Sequence, residues 1–118
     1  MESDDHVIVD RLAALAQPHR LAVYRRLVVA GPAGRLPGEI AAELGIPASS
    51  LSFHLAHLKR AGLVAATRQG RSLHYAVDFA AMRALVDFLT ENCCAGAAPA
   101  QNPRPGDAMR ALLERQNG

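Results

Sequence analysis

The sequence predicts a mainly α-helical domain carrying one small β-hairpin, an α+β arrangement, and three observations predict it. Apolar residues recur at helical spacing along most of the chain ahead of Cys93, Pro and Gly separate these helical runs into short lengths, and Gln69-Gly70 divides two strand-like runs. The chain has 118 residues, half of them apolar. That is material for one domain with one modest core.

The elements follow in order. Ile8, Leu12 and Leu15 lie at helical spacing behind Ser3-Asp4-Asp5, which can supply an N-cap and negative charge at a helix start, so a first helix is expected over about residues 5–16. Pro18 suits the first turn of a second helix, where its missing N–H costs nothing. Leu21, Tyr24, Leu27 and Val28 mark its buried face up to Gly31. A short helix is expected over 37–44, with Ile40, Ala41 and Leu44 inward and Gly45 free to take the left-handed conformation that ends a helix. Another opens near Ala48 and runs to Ala61, with Leu51, Leu55 and Leu58 inward and Gly62 as its stop. Two short helices joined by Gly45-Ile46-Pro47 have the form of a helix-turn-helix.

Residues 63–68 and 73–77 then read as strands, with Gln69-Gly70 as the hairpin turn. A helix-turn-helix followed at once by a hairpin is the layout of a winged helix. Asp78 caps a last helix whose Met82, Leu85, Val86 and Leu89 share a face, and which is expected to reach Glu91-Asn92-Cys93-Cys94. Residues 1–94 thus form the domain, and 95–118 read as a flexible tail with a marginal helix over 107–116.

Composition removes several classes. No apolar run approaches bilayer length, the acidic start is unlike a secretory signal, and the chain is expected in the cytoplasm. Cys93 and Cys94 are neighbours, a poor geometry for a structural disulfide, and read as thiols of a reducing compartment. The net charge of +2 hides an uneven distribution: between Glu43 and Asp78 there is no acid, while Lys59, Arg60, Arg68, Arg71 and three of the five histidines fall there. Such a patch suits a polyanion. An enzyme is not expected, because no acid accompanies Ser52 and His54 in sequence and no Gly-rich phosphate loop occurs.

On the helix over 48–61, Ser49, Ser52, Phe53, Ala56 and Arg60 form a stripe away from the leucines, with Ser50, His54 and His57 beside it. Serine hydroxyls and the Arg60 fork can bond to bases or phosphates in a major groove, and Phe53 can touch a thymine methyl. His54 and His57 can reach phosphates, or else pack against the wing. Arg68 and Arg71 flank the hairpin tip, where guanidinium groups suit a DNA backbone or minor groove.

These residues resemble those of bacterial ArsR/SmtB-type repressors. The resemblance rests on Leu15-Ala16-Gln17-Pro18-His19-Arg20-Leu21, Glu39-Ile40-Ala41, the run from Ser52 through His54-Leu55 to Ala61-Gly62-Leu63-Val64, and Arg68-Gln69-Gly70-Arg71. It covers roughly residues 7–94. It implies a homodimer, paired through the first and last core helices, that leaves its double-stranded operator on binding an inducer, often a metal or metalloid ion. The resemblance to an arsenite-responsive branch ends the last helix with Glu91-Asn92-Cys93-Cys94, and implies As(III) or Sb(III) as inducer, with no permanent cofactor and no membrane partner. Cys93 and Cys94 are then the metalloid ligands. Trivalent arsenic is soft and prefers thiolates. Residues 95–101 supply no third cysteine, and two thiolates suffice for a monosubstituted organoarsenical such as methylarsenite. Two other readings stand beside this one: a repressor sensing redox, persulfide or another effector, and a winged helix for protein interaction with Phe53 as its anchor.

Overall fold

The computed structural model describes residues 2–93, with side chains from Asp5 onward. Five helices and one hairpin follow in the order α1 (Glu2–Leu15), α2 (Pro18–Ala30), α3 (Pro37–Leu44), α4 (Ala48–Arg60), β1 (Val64–Gln69), β2 (Ser72–Val77) and α5 (Phe79–Thr90), a winged helix-turn-helix. Candidate residue Cys94, the tail over 95–118 and its helix over 107–116 lie outside the described residues.

The core sits where α2, α3 and α4 meet the root of the hairpin. Leu27, Ile40, Leu51, Leu55, Leu58 and Leu63 are fully buried there, with Val23, Ala14, Val64 and Val77 around them. Leu51, Leu55 and Leu58 repeat every three or four residues, so one face of α4 is committed to this core and the opposite face is turned outward. Truncating such a leucine to alanine costs about 2–5 kcal/mol.

Several boundaries differ from expectation. Helix α1 begins at Glu2, so Ser3-Asp4-Asp5 falls within the helix instead of ahead of it. Its Leu12 is exposed, and Ala14 is fully buried as a member of the core cluster. In α2 the inward face is Val23, Tyr24 and Leu27, while Leu21 is exposed. Gln17 caps α2, its side-chain oxygen accepting from the Arg20 N–H at 2.7 Å, with Pro18 in the first turn as expected. Gly45 ends α3 in the left-handed conformation (φ 65°, ψ 33°).

The hairpin is antiparallel, and Gln69 pairs with Ser72, so the two-residue turn is Gly70-Arg71 and not Gln69-Gly70. Gly70 has φ +64° and Arg71 does not share it, the pattern of a type II′ turn with glycine first. Long-range contacts hold the wing at its base. Arg35, in the connection between α2 and α3, pairs with Tyr75 of β2 through two backbone hydrogen bonds of 2.9 Å. Gly34 makes that approach possible: its φ is +73°, and a Cβ there would run into the Tyr75 carbonyl. The Asp78 N–H donates to the Leu63 carbonyl at 2.9 Å, and the Asp78 carboxylate accepts from the Ala81 N–H at 3.1 Å, so the cap of α5 is also its anchor.

Helix α5 stops at Thr90, short of the cysteines. The Thr90 hydroxyl donates to the Val86 carbonyl at 2.8 Å, Glu91 leaves the helical region (ψ 131°), and Asn92 takes a positive φ of 63°. Asparagine tolerates that conformation better than most residues, which places the break there.

Candidate nucleic-acid interface and thiol site

The stripe on α4 is exposed as expected. Ser49, Ser52, Phe53, Ala56 and Arg60 are all solvent-facing, and Phe53 is 60 % exposed, an unusual state for a ring on a helix whose leucines are buried. Ser50 is half-buried at the flank. Arg68 lies on β1 and Arg71 in the turn, both exposed at the far end of the hairpin. Arg60 stands with Lys59 in the last turn of α4, where cations oppose the negative end of the helix dipole.

The two histidines behave differently from the stripe. His54 and His57 are half-buried, and the Nδ1 atom of each is buried without a hydrogen-bond partner among the described residues. His54 does not fold onto the wing. It stacks on His19, at the start of α2, with ring centroids 5.8 Å apart and planes 22° from parallel. His57 faces α1, sharing a small cavity with Asp10, Ala13, Arg60 and Ala61. Burial holds the His54 imidazole below its ordinary range, with Arg20, His19 and His57 pushing the same way. Burial does the same to His57, helped by Arg20 and Arg60. Both rings are therefore neutral near pH 7, and they anchor α4 against α1 and α2 as well as bordering its outward face.

Sequence reasoning missed the residues that orient α4 from behind. Arg20 donates from Nε to the Ala14 carbonyl at 2.7 Å and so locks the α1–α2 corner beside His54. Arg11 donates from Nε to the Ala61 carbonyl at 3.1 Å, joining α1 to the C-terminal end of α4. Glu43 of α3 accepts from Arg26 at 2.7 Å and pairs with Arg35, fixing α3 to α2 and to the wing's anchor. No periodicity announces such pairs, because their members are 17 and 8 residues apart.

Cys93 is exposed in the turn after α5, its N–H donating to the Thr90 carbonyl at 2.9 Å. Among the described residues no group of three or more His, Cys, Asp or Glu side chains is gathered at metal-binding spacing. Cys94 follows Cys93 directly in the sequence, so the two thiols are vicinal.

Comparison with known proteins agrees with this architecture. A helix-turn-helix domain family matches residues 15–66. The HTH-type transcriptional regulator CmtR of Mycobacterium tuberculosis is 42 % identical over 64 residues, which are 54 % of this chain and 52 % of that protein. The chain thus spans about half the length of the curated relative it matches. Among solved structures, the homodimeric winged helix-turn-helix DNA-binding domain of a possible ArsR-family transcriptional regulator from Mycobacterium bovis is 30 % identical. It covers 75 % of this chain and 82 % of its own, with a TM-score of 0.58. An ArsR-like transcriptional regulator from Rhodococcus, 21 % identical, shares the fold over 93 % of this chain and 92 % of its own with a TM-score of 0.66.

Proposed function

Because the chain belongs to the ArsR/SmtB family of winged-helix transcriptional regulators, we propose that it is a homodimeric repressor. It holds a double-stranded operator and releases it when Cys93 and Cys94 bind trivalent arsenic or antimony, methylarsenite included. The observation that carries the DNA-binding part is the outward face of α4. Ser49, Ser52, Phe53, Ala56 and Arg60 are exposed together in a stretch without acids, and Arg68 and Arg71 follow on the wing.

In this reading α4 enters the major groove, with Ser52 and Arg60 bonding to base edges or phosphates and Phe53 meeting a thymine methyl. Ser49 and Ser50, at the helix start, meet the phosphate backbone, and neutral His54 and His57 border the groove as hydrogen-bonding groups without charge. Arg68 and Arg71 add salt-dependent affinity from the wing. A homodimeric relative supports pairing of two copies; in this reading they pair through α1 and α5, whose Val9, Val86 and Leu89 are exposed, and set their α4 helices about one DNA turn apart.

The inducer site rests on the chemistry of its donors. Two neighbouring thiolates past the last locked helical turn can both swing onto one soft centre, and softness selects sulfur over the nearby Glu91 carboxylate. Binding reshapes the end of α5 at the pairing face and carries the two α4 helices off their spacing. The protein then acts in the reducing cytoplasm, where both sulfurs remain thiols.

The test is fluorescence anisotropy of a labelled duplex from the gene's own upstream region, with reduced protein, titrated with arsenite and then methylarsenite beside Cys93→Ser/Cys94→Ser. Release of the wild type alone is the expected result. Tight binding that neither compound relieves removes the metalloid reading and leaves redox, persulfide or another effector. Absence of DNA binding at low salt turns the stripe into a protein-docking face built on Phe53.

A further inference from the structure

Three rings stand in a row across the contact between α2 and α4. His19, exposed in the first turn of α2, stacks on His54, and His54 meets Phe53 edge-on with centroids 6.0 Å apart and planes 71° from parallel. Phe53 belongs to the outward stripe of α4, so the row leads from that stripe to an imidazole on the neighbouring helix. The row lies on α2 and α4, apart from the α1 and α5 surfaces proposed to pair two copies. His19 forms no ion pair among the described residues. Arg20 stands beside it, bonded through Nε to the Ala14 carbonyl. The acid that α1 brings to this side of α4, Asp10, shares its cavity with His57 and Arg60 and not with His19.

The two stacked rings are unequal. The Nδ1 atom of His54 is buried without a partner among the described residues, so a proton placed there would have no acceptor. Burial, Arg20, His19 and His57 all oppose positive charge on the same ring. A proton that enters the pair therefore settles on the exposed ring, and a second charge 5.8 Å away would be repelled by the first. We propose that His19 is a further operator contact that takes up a proton as the duplex binds, its imidazolium lying on a backbone phosphate at the edge of the groove entered by α4, with His54 as the platform that orients it. The proton comes from solvent to the unprotonated ring nitrogen of His19, and a phosphate oxygen accepts an N–H of the ring. A phosphate beside an imidazole favours its charged form, so by linkage operator affinity rises as the pH falls through the histidine range. Arginine contacts keep their charge throughout that range, so the pH dependence singles out the imidazole.

This inference rests on the reading of α4 as a DNA-contacting helix, and its test separates the two. Anisotropy of the upstream duplex is followed at constant ionic strength from about pH 7.8 to about pH 6.2, where affinity is expected to rise about threefold to tenfold per protomer. Calorimetry in phosphate and in Tris, whose heats of ionisation differ, counts the protons taken up, with up to about one per protomer expected. His19→Gln keeps a hydrogen-bonding side chain that cannot take the proton, and removes both the rise and the uptake. His54→Ala removes the platform and flattens the profile, while His54→Phe, a ring that does not titrate, restores it; a merely structural role for His54 would shift affinity alike at every pH. Uptake that persists in His19→Gln, or a profile that His54→Phe does not restore, overturns the assignment. Should these variants fail to fold, the ring nitrogen shifts of His19 in the unaltered chain decide near pH 7: an imidazolium signal that grows as duplex is added supports the contact, and one that stays constant overturns it. Tight duplex binding without proton uptake overturns this inference and leaves the repressor reading standing. Absence of duplex binding at low salt and at every pH fails both.

Discussion

The α4–wing end and the α1–α5 end of this molecule treat apolar surface in opposite ways. On α4 the leucines are buried and the outward face is serine, alanine and arginine, interrupted by one exposed ring, Phe53. On α1 and α5 the outward residues include Val7, Val9, Leu12, Val86, Phe88 and Leu89, with Val9 and Leu89 each 57 % exposed. Soluble monomers seldom leave apolar side chains gathered in this way, and such surfaces mark contact sites. One end is finished as a surface for water and polyanions; the other is finished only when something apolar covers it. The difference teaches that the polar face of α4 and the apolar surfaces of α1 and α5 lie on separate sides of a small core, and Arg11 is a direct hydrogen-bonded bridge from α1 to the end of α4.

The sharpest test of that division is at the uncovered end. Val86→Asp with Leu89→Asp is expected to halve the mass in sedimentation equilibrium and to lower operator affinity by about 10²–10⁴-fold, the loss of two-site attachment, while helical content is unchanged. Retained dimers would place the pairing face elsewhere. The wing's anchor comes next: Gly34→Ala sets a Cβ against the Tyr75 carbonyl at a positive φ, and roughly 1–3 kcal/mol of stability should be lost in urea unfolding. At the polar end, Arg60→Ala is expected to cost about 1–3 kcal/mol of operator binding with the fold and the dimer intact. An altered base preference would mark Arg60 as a base contact, and a shallower salt dependence would mark it as a phosphate contact.

The smallest effect is one of pH. His54 and His57 are held below their ordinary value of 6.5, so just beneath that value the unfolded chain binds more protons than the folded one. The stability they confer is complete above 6.5 and declines as the pH falls toward their folded values. Melting temperature is expected to fall between about pH 7.5 and about pH 5.5, and less so in His54→Gln/His57→Gln. Glu43, held below its ordinary 4.5 chiefly by its hydrogen bond from Arg35, gives a separate loss at lower pH that Glu43→Gln removes.

Much of the candidate interface was legible because helical periodicity is a local code. Leu51, Leu55 and Leu58 define the inner face of α4, and the remaining residues fall outward by geometry. The histidines were legible as flanking residues, but their tilt toward His19 and α1 depends on neighbours more than 30 positions away in sequence, beyond any helical period. Leu12 and Leu21 follow the same apolar pattern as buried residues and are nevertheless exposed, because the pattern reports amphipathicity and not which partner arrives.

The sequence by itself determined the order of helices, hairpin and last helix, the stops at Gly31 and Gly45, the Asp78 cap and the face of α4 that turns outward. Each follows from interactions within a few residues: capping, glycine's access to positive φ, and a period that repeats every turn. Tertiary structure alone decided the register that makes Gly70-Arg71 the turn, the Arg35–Tyr75 bridge that seats the wing, the Glu43 ion pairs and the grip of Arg11 on the end of α4. Those contacts join segments far apart along the chain, and their partners are chosen only when burial of the common core has brought the segments together.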